Sequence, residues 1–140
     1  MIREIDGYNL KIKKDGDWFY YIYNDDDDAS FETLIKKFKF DGSQDTLILN
    51  MNNEGGGNLF VQDGWIYLAY SDRIKKLNAE GGTLQGIFVA QEGETIQVQR
   101  VDGNWIYYSS CWYKYDSNGT GTGTAINYKM KTDGTGSVKL

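Results

Sequence analysis

The side chains of this chain that recur at regular spacing and carry polar or reactive groups are carboxylates and aromatics. Asp6, Glu54 and Glu94 stand 12, 11 and 11 residues before Trp18, Trp65 and Trp105. A fixed offset from a recurring tryptophan gives the three acids one structural position. Brought round a common axis they would form a ring of like charges, which raises some of their pKa values or holds a cation. As ordinary polar loop residues they would do neither. Asp25-Asp-Asp-Asp28 offers hard oxygen ligands but lacks the spaced Asp-x-Asp-x-Asp-Gly register and a bidentate glutamate after it. Asp25 and Asp28 are therefore expected in a solvated acidic loop, as candidate contacts on the binding face that loops form, and no metal is expected. The third group is Trp112, Tyr113 and Tyr115 followed by Asp116. Exposed aromatics give a protein or a sugar ring a large, rigid contact. The same residues also suit a second arrangement, in which they lengthen an aromatic strand and the tip Ser117–Thr124 closes the hairpin.

Composition removes other chemistry. There is no histidine, which excludes Ser-His-Asp and Cys-His catalysis and imidazole zinc sites. Cys111 is alone and forms no internal disulfide, so cysteine pairing says nothing of the compartment. Asn53-Glu-Gly-Gly-Gly-Asn58 lacks the Lys-Ser/Thr ending of a phosphate loop. A formal charge of −5 and a pI near 4.7 disfavour nucleic acid, whose phosphates select basic faces. Lys36-Lys37-Phe38-Lys39 is the one basic cluster, expected on the solvent side of a strand. No apolar run approaches the roughly 18 residues of a membrane span, and Met1-Ile-Arg-Glu4 does not open a signal peptide.

These residues are carried on a repeat. Trp18-Phe-Tyr-Tyr-Ile-Tyr23, Trp65-Ile-Tyr-Leu-Ala-Tyr70 and Trp105-Ile-Tyr-Tyr108 follow one another at 47 and 40 residues. Each is preceded by an Asp-Gly turn, a strong hairpin signal, and is apolar on both alternating sets of positions. Strands apolar on both faces are covered on both faces. The spacing predicts four strands per unit: Tyr8–Lys13, Trp18–Tyr23, Leu34–Phe40 and Thr46–Leu49; Asn58–Gln62, Trp65–Tyr70, Ile74–Asn78 and Thr83–Val89; Thr95–Val101, Trp105–Ser110, Ile126–Lys131 and Ser137–Leu140. A four-stranded antiparallel meander packed between neighbours like itself is a propeller blade. The expected fold is an all-β β-propeller of three four-stranded antiparallel blades, over about 8–50, 58–89 and 95–140.

Trp65-Ile-Tyr-Leu-Ala-Tyr-Ser-Asp72 with Ile74-Lys-Lys-Leu77, and Ile106-Tyr-Tyr-Ser109 with Tyr128-Lys-Met-Lys-Thr-Asp-Gly-Thr135, resemble blades of low-density-lipoprotein-receptor-type propellers. They are closer to uncharacterised bacterial propeller repeats related to these. The receptor-type signature has Trp, Thr and Asp where this chain has Leu68-Ala-Tyr70 and Tyr108-Ser-Ser110, so its blade-to-blade hydrogen bonds are not carried over. The resemblance implies a bacterial protein, exported or attached to the cell surface.

Three blades do not close a ring of the usual four to eight. Two bare end faces of about 350 Å² each would be more apolar surface than a soluble monomer usually exposes. Their burial offers on the order of 17 kcal/mol gross. Two copies closing a six-bladed homodimer would cover them; so would missing blades of a parent chain. Loop lengths vary on one side of the disc only, which points to a recognition face for a protein or glycan. Propeller glycosidases draw their acid and base from the hub, yet the expected inner strands hold no Asp or Glu. The expected function is a non-enzymatic binding scaffold with no catalytic residue and no cofactor. The alternative is a carbohydrate-binding or carbohydrate-active domain using the hub.

Overall fold

The computed structural model describes residues 8–25, 32–51, 58–115, 117–119 and 121–140. Its twelve strands form three four-stranded antiparallel sheets with no helix among the described residues. Blade 1 holds β1 (Tyr8–Asp15), β2 (Trp18–Asp25), β3 (Glu32–Lys39) and β4 (Thr46–Asn50). Blade 2 holds β5 (Asn58–Gln62), β6 (Trp65–Ala69), β7 (Arg73–Asn78) and β8 (Gln85–Val89). Blade 3 holds β9 (Glu94–Asp102), β10 (Trp105–Tyr115), β11 (Gly121–Lys131) and β12 (Val138–Lys139). Each is a meander in chain order, and the inner strands β1, β5 and β9 lie side by side. The three sheets stack as three blades and do not close.

Hydrogen bonds show how alike the blades are. The amides of Phe40, Ala79 and Thr132 donate to the carbonyls of Asp17, Gly64 and Asn104. Those of Gly42, Gly81 and Gly134 donate to Lys39, Asn78 and Lys131. These pairs fix which residues are equivalent. They also correct the turns. Only Asp63-Gly64 has positive φ at both central residues, 51° and 78°, as a type I′ turn requires. In blades 1 and 3 the aspartate is the last strand residue, paired Asp15 to Trp18 and Asp102 to Trp105. Gly16 and Gly103 then take the first central position with φ near 60°, the type II′ pattern.

The alternation of β6 explains the stacking. Ile66 and Leu68 face blade 1, in a cluster with Tyr20, Ile22, Ile35 and Leu59. Tyr67 and Ala69 face blade 3, packed with Ile74, Ile96, Ile106 and Met130. Blade 2 is thus dry on both flanks, which is where the chain's core lies. Polar devices join the inner turns. Asp15 Oδ2 accepts from Gly64 N at 3.0 Å. Gln62 brackets Gly103, accepting from its amide at 2.8 Å and donating to its carbonyl at 2.6 Å.

Of the two arrangements open to the segment after Ser110, the chain takes the longer hairpin: β10 and β11 pair without a bulge from Trp105–Lys131 to Tyr115–Gly121. One expectation changes: Lys37 is not on a solvent side. It is buried with its ammonium 4.6 Å from the Trp18 ring centroid, because it alternates with Lys36 and faces blade 2.

Candidate functional site

Sheet order places the β2–β3, β6–β7 and β10–β11 connections on one side of the disc, where the sequence expected recognition. Their described part centres on Trp112. β10 has 11 residues against five in β6, and Trp112 lies beyond the part of β10 that is equivalent to β6. The indole is exposed. It stands opposite Glu94 on β9 and Thr124 on β11, and a methyl group at Gly93 would meet its ring at 3.9 Å.

Glu94 fixes the base of this site. Its Oε2 accepts from Ser110 Oγ at 2.5 Å and its Oε1 from the Gln91 amide at 2.9 Å. The short Ser71-Asp72 turn of blade 2 is strapped alongside, its carbonyls accepting from Ile96 N and Ala90 N at 2.8 Å each. Next to it the Arg73 guanidinium lies 4.7 Å over the Tyr70 ring. An aromatic plate is thereby held on a rigid base at the seam of two blades, which suits binding by contact area rather than bond-making.

The other sequence candidates divide between described and undescribed residues. Tyr113 and Tyr115 continue β10, paired with Gly123 and Gly121. Asp25 ends β2, paired with Glu32. Asp116, Asp28, Asp6 and Glu54 lie outside the described residues. Of the three acids considered for a hub ring, Glu94 is the one described, and both its oxygens are engaged, one by Ser110 of blade 3 and one by Gln91 of the β8–β9 connection. Among the described residues no three of His, Cys, Asp and Glu are grouped as ligands of a metal ion. No described helix is long and apolar enough to cross a membrane.

A concavity lies at the hub. A cleft of about 440 Å³ runs across the inner strands, lined by Ile12, Lys13, Asn58, Leu59, Phe60 and Gln99. The Lys13 ammonium sits 5.5 Å from the Phe60 ring centroid. One cation, two amides and an aromatic face can hold a polar ring, but these lining residues include no carboxylate. The observed inner strands do reach carboxylates at their ends, since β1 extends to Asp15 and β9 runs from Glu94 to Asp102. Of these, Asp15 is bonded to Gly64 and Glu94 to Ser110.

No protein-family model matches this chain, and no curated protein matches it.

Sequence reasoning missed the lysines seated on the blade tryptophans. Lys37, Lys76 and Lys129 lie 4.6, 4.5 and 4.1 Å from the ring centroids of Trp18, Trp65 and Trp105. The signal was present, because each stands four residues before an acid-Gly pair: Asp41-Gly42, Glu80-Gly81 and Asp133-Gly134. Facing these lysines, burial pushes the hydroxyls of Tyr20 and Tyr67 above the ordinary tyrosine value.

Proposed function

We propose that this chain is a non-enzymatic binding scaffold whose recognition face is the loop side of the disc. The observation that carries it is Trp112: an exposed indole on a pinned base, at the rim between blades 2 and 3. The likeness of its Trp-Ile-Tyr strands to receptor-type blades supports a place among the related bacterial propeller repeats, with an exported or surface-attached parent. The open ends are covered by a second copy completing six blades, in preference to further blades of a parent chain. The other reading is carbohydrate recognition at the hub, favoured by the Lys13, Asn58 and Gln99 lining of the cleft.

A glycan array probed with the wild-type chain, Trp112→Ala and Lys13→Ala separates these. Glycan binding weakened about tenfold by Trp112→Ala alone supports the loop face, since a central aromatic anchor carries that much. Loss with Lys13→Ala alone moves the site to the hub. Hydrolysis of any bound glycan would overturn the non-enzymatic reading.

A further inference from the structure

Each blade mounts a third-strand lysine on the tryptophan that opens its second strand, and the first two use it to hold the blade that follows. Lys37 Nζ lies 3.5 Å from Glu80 Oε1 in blade 2. Lys76 Nζ donates to the Thr132 carbonyl in blade 3 at 3.3 Å. Both acceptors belong to the third-to-fourth turn of the next blade. By the equivalences above, Glu80 and Asp133 correspond to Asp41 in blade 1, and Thr132 corresponds to Phe40. Lys129 makes the same contact with Trp105 at 4.1 Å, the shortest of the three, but among the described residues no blade follows blade 3. The Phe40-Asp41 turn of blade 1 carries the Lys14 ammonium of its own blade, 4.7 Å from the Phe40 ring centroid, and receives no lysine from a preceding blade. One half of a recurring contact is left at each end.

The surfaces around these halves tell the same story. Ile12 holds the position of Leu59 and Val98 on the side toward a preceding blade, paired with Tyr21 as they are with Leu68 and Tyr108. Leu59 is 1% and Val98 5% exposed, but Ile12 is 44% exposed. Phe40 is 54% exposed where its equivalent Ala79 is 2% exposed. On the other end, Tyr107 is only half-buried where Tyr20 and Tyr67 are buried. Asp102 ends β9 where Asp15 and Gln62 hold the next inner turn.

We infer that two copies of this chain associate about a two-fold axis in one register, set by Lys129 of each copy seated from its Trp105 shelf on the Phe40-Asp41 turn of the other. The occupant of both ends is a second copy, because the lysine at one end and the acid turn at the other are complementary in charge and continue a contact made twice inside the chain. This rests on the pairing proposed above and adds its register. Two-fold symmetry makes the contact twice, so each charge reversal acts twice.

The test is sedimentation equilibrium of the full chain over a range of concentrations, with Lys129→Glu, Asp41→Lys and the double exchange. The wild type should approach twice its 16.0 kDa chain mass. Each single reversal should weaken pairing about tenfold or more, as like charges meet at a rim, and the exchange should restore it to within about threefold. Asp41 also accepts from Ser43 in its own turn. Asp41→Asn keeps an acceptor there, so the chain should stay folded, with a wild-type circular dichroism spectrum, while pairing still weakens. A wild type that stays at 16.0 kDa overturns the pairing itself. A wild type that pairs while both reversals leave its Kd unchanged, or an exchange without rescue, overturns the register and leaves the pairing standing.

Discussion

At the scale of single residues, the turns are held by short polar side chains in equivalent places. Asp41 Oδ1 accepts from the Ser43 amide at 2.9 Å and hydroxyl at 2.5 Å; Asp133 Oδ1 accepts from the Thr135 amide at 2.9 Å and hydroxyl at 2.6 Å. The hydroxyl bond first, and the amide bond after it, hold both carboxyls below their ordinary value of 3.8. A carboxyl whose folded pKa is depressed adds stability above its unfolded value and loses it as pH falls through the folded one. Thermal melts should therefore drop on acidification below about pH 4. Asp133→Asn, which cannot be protonated there, should drop less over the same interval. Equal losses in both proteins would show that the turn carboxylates contribute nothing to the acid limb. The alkaline limb has the opposite sign. Burial raises Tyr20, Tyr67 and Tyr108, so the stabilisation they give is present below about pH 10 and lost as pH rises through the raised values.

At the scale of elements, what the sequence made legible was the strand, and what it hid was the side a strand packs on. Trp65–Ala69 was readable because both alternating sets are apolar, which leaves a double-sided blade as the packing solution. The far half of β11 was not readable. Gly121, Gly123 and their threonine neighbours look like a loop, and pairing with the aromatic half of β10 overrides that composition. Lys37 was misread for a related reason: alternation tells sides apart but cannot say that a lysine's side is covered, because its stem buries while its head finds a partner at the rim. Blade-on-blade contact also depends on backbone that no pattern shows. Gly134 has φ +87°, and a side chain there would run into the Ile87 carbonyl of blade 2. Ile87 lies beside the irregularity in the β7–β8 pairing. Gly16, with φ +60°, faces open space. Gly16→Ala should cost about 1 kcal/mol from backbone strain alone, and Gly134→Ala about 2–3 kcal/mol because the blades must also part. Urea unfolding measures both. Equal costs would mean that the seam between blades 2 and 3 yields freely.

At the scale of the whole molecule, the two ends are not alike, contrary to the sequence expectation of two bare apolar faces. The blade 1 end has an aromatic and aliphatic centre, where Phe19 stacks on Phe38 and Phe40 at 5.3 Å each beside exposed Ile12 and Leu47; polar groups edge it, with Lys14 4.7 Å over Phe40 and Lys36 3.2 Å from Asp45. The blade 3 end differs in being polar at its centre. Ser109 pairs with Asn127 where blades 1 and 2 pair Ile22 with Ile35 and Ala69 with Ile74, and cations roof its aromatics, Arg100 over Tyr107 and Lys129 over Trp105 at 4.1 Å each. A polar centre at one side of each contact removes much of the hydrophobic drive estimated for two bare faces. Pairing should therefore be reversible and coupled to folding by mass action: whatever covers these faces in the folded state raises the melting temperature as its concentration rises. Over a hundredfold range of chain concentration, melts of the wild type should shift upward by several degrees for a domain of this size. Added salt should shrink the shift, since the Lys129 contact lies at a wet rim and is screened. A melting temperature independent of concentration, in a chain that still unfolds cooperatively, would mean that the mixed blade 3 face already serves as a finished cap and that the arc is stable without a partner.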